Sequence, residues 1–209
     1  MFYLVKTPKW VKKLISDSVW ELAGAKKILY LSFDDGPHPQ ITSFVLDELL
    51  KYNAKATFFC IGRNVVENPL IFDRILAEKH AVGNHTQNHL DGWKTPDEAY
   101  LQNIEEASRY IDSDLFRPPY GRITAKQHKK LRAGDKPFKI IMWSVLSGDF
   151  DVAITPEQCS ENVLKNAESG SVVVFHDSEK AYERLKFALP AVLKYFSEKG
   201  YQFEKIVSE

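Results

Sequence analysis

The chain has 209 residues, 44% of them apolar and 27% charged, a composition that supports one sizeable buried core and excludes disorder. Twenty-eight basic residues balance 28 acidic ones, so no net charge is available to recruit nucleic acid or an anionic lipid surface. No run approaches the ~20 apolar residues of a membrane span, and the two cysteines, Cys60 and Cys159, set no disulfide framework and read as small buried hydrophobes.

Residues 1–20 carry scattered lysines and no apolar stretch of the kind a signal peptide needs. This points to the cytoplasm, or to the cell envelope or secretion if the native start lies elsewhere. Val11, Leu14, Ile15, Val19 and Leu22 fall close to a helical stripe, so residues 1–27 are expected to be a helical segment packed on a single domain, 28–209.

From there short apolar runs alternate with helical patterns. Residues 28–33 read as a strand, 41–52 as a helix on Val45, Leu46, Leu49 and Leu50, and 56–61 as a strand. A helix over 69–79 and a short strand over 81–83 follow. Thr95-Pro96-Asp97-Glu98 reads as a capping box with proline at the first helical position, opening a helix to about Ile111. Residues 115–117 are a short strand, 124–132 a helix stopped near Gly134, and 138–145 a strand. Thr155-Pro156-Glu157-Gln158 repeats the capping signature, and 171–175 is a strand. A helix over 182–199 is expected to break or kink at Pro190, and 202–207 closes the chain. About seven strands separated by helices imply an α/β fold with a mostly parallel sheet, most economically a closed or nearly closed (β/α) barrel. Sites in such folds form past the carboxyl ends of the strands.

The chemically capable residues fall at those ends. Asp34 and Asp35 follow the first strand within Ser32-Phe33-Asp34-Asp35-Gly36-Pro37. Asp-Asp-Gly-Pro is good turn chemistry in its own right, but two adjacent carboxylates can also divide into a metal ligand and a free base. His85 and His89, four apart, can point the same way from one turn. With Asp35 they make a two-histidine, one-carboxylate set, suited to Zn²⁺ or another divalent transition metal with a position left open for water. In Arg117-Pro118-Pro119-Tyr120 two prolines fix an extended segment that can set a guanidinium beside a carboxylate and aim the Tyr120 N–H at a developing oxyanion. His176 ends a buried strand, where an imidazolium can act as a general acid, and Asp149 can hold it and raise its pKa. The other histidines, His38, His80 and His128, read as surface residues, with His38 near enough to the first motif to line the cleft.

Taken together, these motifs resemble the NodB-homology polysaccharide deacetylases, carbohydrate esterase family four, over residues 28–207. The resemblance implies a distorted (β/α) barrel that removes acetyl groups from an acetylated glycan. It assigns Asp34 as base, Asp35, His85 and His89 as ligands of Zn²⁺ (or Co²⁺, Ni²⁺ or Mn²⁺), Arg117 as support for the base, and His176 as acid, tethered by Asp149. Pro119 and Tyr120 match the family's Arg-x-Pro-Tyr motif. Three positions depart from it: Leu146 stands for an aspartate, Phe150 for a tryptophan and Val174 for a leucine. Phe150 and Val174 keep an apolar wall for the acetyl methyl, with altered shape. The substrate stays open among N-acetylglucosamine polymers such as peptidoglycan or chitin oligomers, acetylxylan esters, and a small non-sugar amide. A non-haem Fe(II) oxygenase shares the ligand set, and an inactive glycan-binding relic shares the fold.

Overall fold

The computed structural model describes residues 3–14, 17–22, 26–133 and 136–207. After α1 (Lys9–Leu14), the order is β1 (Ile28–Asp34), α2 (Ile41–Lys51), β2 (Ala56–Cys60), α3 (Gly62–Glu67), α4 (Pro69–Ala77), β3 (Ala81–Asn84), α5 (Asp97–Ser108) and β4 (Leu115–Phe116). A 3-10 turn (Pro119–Gly121), α6 (Ala125–Arg132), β5 (Lys139–Ile140), β6 (Val145–Leu146), α7 (Pro156–Asn166), β7 (Val172–His176), α8 (Glu179–Glu198) and β8 (Gln202–Phe203) complete it.

The strands form one sheet in the order β5-β4-β3-β2-β1-β7-β6, with β8 added to the start of β1. All the pairings are parallel, and the sheet curls into a distorted, half-closed (β/α) barrel, the expected class. The central strands are the continuous apolar runs that burial on both faces demands: β2 is buried at every position, and β7 at all but its last. Alternation divides their side chains between two cores. Phe33, Phe58 and Phe175 stack on one another at 5.1 and 6.0 Å and meet Leu46, Leu49, Val163, Leu189 and Val192 of the helices. Phe59 joins Leu115, Ile141, Val172 and Ile206 in a separate cluster. Each such side chain, fully withdrawn from water, stabilises the fold by roughly 1.5–3 kcal/mol. Cys60 and Cys159 are buried and free, as expected.

Several expectations are corrected. The strand read over 138–145 is two strands on opposite edges of the sheet, and residues 141–144 carry the chain from one edge to the other. The backbone groups there are engaged elsewhere: Ile141 and Met142 give their carbonyls to the Arg117 guanidinium, and Met142 N–H donates to Val19 O. Thr95 does not cap α5, whose N-cap is Pro96 with no side-chain cap; the Thr95 hydroxyl instead donates back to Asp91 O at 2.8 Å. A full capping box forms at Thr124 and Gln127 at the start of α6, and the one expected at Thr155 and Gln158 is present. The helix α8 starts earlier than expected and runs through Pro190 without a break, anchored on both sides by buried Leu189, Val192 and Leu193. His80 is not at the surface; it is 5% exposed, accepts the Ala56 N–H and lies edge-on to Phe58.

At the N-terminus, Lys6, Val19 and Glu21 bridge to Val145, Ile141 and Ser171, and Trp20 is buried with Tyr100 and Phe116. Ile15, the Leu14 side chain and Gly134 lie outside the described residues. Among the described residues no helix is long and apolar enough to cross a membrane.

Candidate active site

The carboxyl ends of β1, β3, β4 and β7 converge on one cleft. Asp34 is the last residue of β1, in register with His176 at the end of β7. Its Oδ1 accepts from Arg117 Nη1 at 2.6 Å, with both side chains essentially buried. Arg117 is fully buried and fully engaged. It donates also to Ser32 Oγ and to the carbonyls of Ile141 and Met142, and its guanidinium lies 4.0 Å from the Phe59 ring centroid. The planar fork is thus held along every edge, so the direction it presents to Asp34 is fixed.

Asp35, His85 and His89 meet: one ligand atom from each lies within 4.8 Å of the others. His85 is 2% exposed, and its Nδ1 sits 2.7 Å from Arg117 O. Only a protonated Nδ1 can donate there, which leaves the Nε2 lone pair facing Asp35. Burial, with His89 as a lesser cause, pushes the His85 imidazole down to about 4 against the opposing pull of Asp34 and Asp35, so it is a neutral donor at ordinary pH. Burial would raise the Asp35 carboxyl, but the facing imidazoles of His89, His176 and His85 outweigh it and hold it well below its usual range. Asp35 Oδ1 is buried with no hydrogen-bond partner, although His89 Nε2 lies 3.2 Å and His85 Nε2 3.8 Å away. Lone pairs converging on a shared point, with an orphaned carboxylate oxygen among them, fit a divalent metal ion of the kind bound by nitrogen and oxygen donors.

The backbone around this point is strained in a concentrated way. Seven non-glycine residues have positive φ among those described, and four of them, Asp35, Thr86, His89 and Tyr120, are here. Such conformations persist only where the surroundings over-determine them. For the His85–His89 loop the surroundings include two asparagines that sequence reasoning missed. Asn84 Oδ1 accepts the Thr86 N–H, and Asn103 Oδ1, from α5, accepts those of Gln87 and Asn88. The first N–H groups of α3 take the carbonyls of Thr86 and Gln87, satisfying donors that a helix start leaves free. No sequence pattern announces an asparagine that braces a loop from a distant helix.

His176 and Asp149 form the second ionic pair. Asp149 is fully buried; its Oδ1 lies 2.7 Å from His176 Nδ1 and its Oδ2 accepts the His176 backbone N–H at 2.7 Å. Arg184 donates to the Asp149 carbonyl. Burial alone would lower the His176 imidazole, but the Asp149 charge and hydrogen bond, helped by Asp35 and Asp34, carry it up to about 10. Phe150 stands edge-on to the His176 ring at 5.2 Å and to Tyr3 at 5.1 Å. Val174, on the same face of β7 as His176, is 1% exposed and in register with Leu146 and Ser32. Pro119 is buried in the 3-10 turn, and the exposed Tyr120 ring packs edge-on against His89 at 4.7 Å. All eleven site residues expected from the sequence therefore have defined positions, with Val174 the most deeply enclosed of the wall residues. His38 is half-buried beside the β1 exit, where its Nδ1 accepts from the N–H groups of Gln40 and Ile41 at the start of α2. His128 is half-buried against Ser18.

Comparison with known proteins gives a consistent picture. A sequence model described as polysaccharide deacetylase matches residues 22–135. A peptidoglycan-N-acetylglucosamine deacetylase of Bacillus cereus is 36% identical over 190 residues, 88% of this chain and 88% of that protein. A chitooligosaccharide deacetylase of Azorhizobium caulinodans is 33% identical over 157 residues, 71% of this chain and 73% of that protein. The crystal structure of the Bc1960 peptidoglycan N-acetylglucosamine deacetylase, in complex with a naphthalenyl N-hydroxybenzamide, superimposes with a TM-score of 0.84 at 32% identity, covering 96% of this chain and 95% of that one.

Proposed function

The chain belongs to the polysaccharide deacetylase family, and from that premise we propose that it is a metal-dependent hydrolase that removes N-acetyl groups from an N-acetylglucosamine-containing glycan. One observation carries the reading: the Asp35, His85 and His89 donors share a cleft with a buried carboxylate–guanidinium pair and a buried carboxylate–imidazole pair.

The reaction splits an N-acetyl amide and water into an amine and acetate. Asp35, His85 and His89 would hold the metal ion, Zn²⁺ or another divalent transition metal. When bound, such an ion supplies Lewis acidity, lowering the pKa of a water and polarising the acetyl carbonyl. Asp34, aimed by Arg117, takes the proton from the attacking water. The Tyr120 N–H donates to the oxyanion as the carbonyl carbon becomes tetrahedral; losing one such donor typically costs about 3 kcal/mol. His176, held protonated by Asp149, gives its proton to the amide nitrogen as the C–N bond breaks, since that nitrogen leaves poorly as an anion. Phe150, edge-on to His176, forms the apolar wall for the acetyl methyl together with Val174, which is buried on the same face of β7 as His176.

Acetate release from N-acetylglucosamine oligomers, peptidoglycan and acetylxylan, with and without chelator, tests the proposal. Release from the first two, abolished by chelator and restored by Zn²⁺ or Co²⁺, is expected. Release indifferent to chelator contradicts the metal, and a metal-loaded protein that releases no acetate from any substrate is the glycan-binding relic. The non-haem Fe(II) oxygenase alternative loses its support, because that ligand set usually sits on all-β double-stranded barrels and this sheet is parallel α/β.

A pH profile tests the acid. Asp149→Asn removes the charge that raises His176 to about 10, so the alkaline limb of kcat/KM should move by more than about 2 pH units toward acid, with a loss of at least ~2-fold at pH 8. An unmoved limb rules out His176 as the group that titrates there. The same pair affects folding. Because the folded imidazole is raised to about 10, its stabilising contribution is complete below about pH 6.5 and is lost as pH rises through the folded value.

A further inference from the structure

We infer that Asp177 is a positioning residue for the metal-ligand loop, a role that rests on the metal-site reading above and extends it. Asp177 directly follows His176 and is 1% exposed. Side chains alternate along a strand and its extension, so while the His176 ring turns to Asp149, the Asp177 carboxylate reaches the exit of β1. There Oδ1 accepts the Gly36 N–H at 3.0 Å and Oδ2 accepts the Thr42 hydroxyl, while the Asp177 N–H donates to Asp34 O at 3.1 Å. Thr42 Oγ1 in turn accepts the His38 N–H at 2.7 Å. One buried carboxylate therefore fastens both the residue after Asp35 and the start of α2.

The fastening matters because Asp35 is held at φ 84°, a conformation a non-glycine residue keeps only under outside constraint. On the other side, Asn64 Nδ2 donates to Asp35 O at 2.7 Å and Ile61 N–H to Gly36 O at 3.0 Å. Asp177 completes the clamp from the β7 side. The fit also explains the glycine: a Cβ at Gly36 would lie 2.0 Å from Asp177 Oδ2. Gly36 and Asp177, 141 positions apart, form one device that aims the Asp35 carboxylate toward His85 and His89 without touching a ligand atom.

The test is the Zn²⁺ affinity of the full chain, by competition with a chromogenic chelator and without any substrate. It is run alongside thermal unfolding of the metal-free protein. Asp177→Ala should weaken Zn²⁺ binding by about 10–100-fold, the usual effect of losing a group that orients a ligand. Asp177→Asn, whose amide oxygen can still accept the Gly36 N–H, should recover part of that loss. Thr42→Val, which keeps the Gly36 contact, should weaken binding less than Asp177→Ala. Parent-like affinity in Asp177→Ala, even with a lowered unfolding midpoint, overturns the inference and leaves Asp177 a fold residue. If Asp177→Ala does not fold, parent-like affinity in both Asp177→Asn and Thr42→Val overturns it equally. A parent protein that binds no Zn²⁺ overturns both this inference and the metal site, whereas a tight-binding parent with unaffected variants overturns this inference alone.

Discussion

Asp34→Asn is expected to lower kcat for acetate release by about 10²–10⁴-fold, the range that a positioned general base supplies, while Zn²⁺ affinity stays close to the parent's. The separation follows from the geometry. Asp34 faces the Arg117 fork, and the three converging donors are Asp35, His85 and His89. Removing the charge therefore removes a proton acceptor but no ligand. Asparagine keeps an oxygen for Arg117 Nη1, and Arg117 retains Ser32, Ile141, Met142 and the Phe59 face. Even so, uncoupling a buried ion pair by removing one partner can cost ~3–5 kcal/mol, so the rate should be taken per folded molecule. Turnover near the parent rate in folded Asp34→Asn protein would refute Asp34 as the base.

His85→Ala should lose metal and activity together. It removes a neutral, pre-oriented nitrogen whose tautomer is set by Arg117 O, and a ligand should cost more than the ~100-fold that losing an orienting partner does. A stability experiment reads the same event without substrate. Metal bound only to the folded state stabilises it by about 2.7 kcal/mol at a hundred times Kd. Zn²⁺ should therefore raise the unfolding midpoint of the parent and leave that of His85→Ala unmoved. Equal Zn²⁺-induced shifts in both proteins would move the metal site away from His85.

Much of this was legible in the sequence because it is local. The run 28–33 had to be a buried strand, and a strand end followed by Asp-Asp-Gly-Pro had to place carboxylates at the sheet's rim. The four-residue spacing of His85 and His89 made a shared direction plausible, and the structure brings both rings together, 5.1 Å apart. What was illegible depends on partners distant in the chain. The apolar run after Phe138 has the pattern of one strand, but Arg117 takes two of its carbonyls and divides it. The Thr95 segment carries the capping pattern, but its hydroxyl turns back to Asp91 O and α5 begins without a side-chain cap. His80, after the charged pair Glu78-Lys79, looked like a surface residue until Ala56 and Phe58 enclosed it. Asn84, Asn103 and Asp177 were invisible as functional residues because their work is to satisfy loop backbone, and polar residues of those types are ordinary anywhere in a chain.

The proposed chemistry requires that Asp35, His85 and His89 together hold one ion beside the Asp34 carboxylate. Anomalous diffraction at the zinc edge, from crystals grown with equimolar Zn²⁺, tests it most directly. A single strong peak is expected about 2.0–2.2 Å from a carboxylate oxygen of Asp35 and from the Nε2 atoms of both histidines. A dominant peak at any other residues, or zinc-loaded crystals in which the His85 and His89 rings turn away from Asp35, would contradict it.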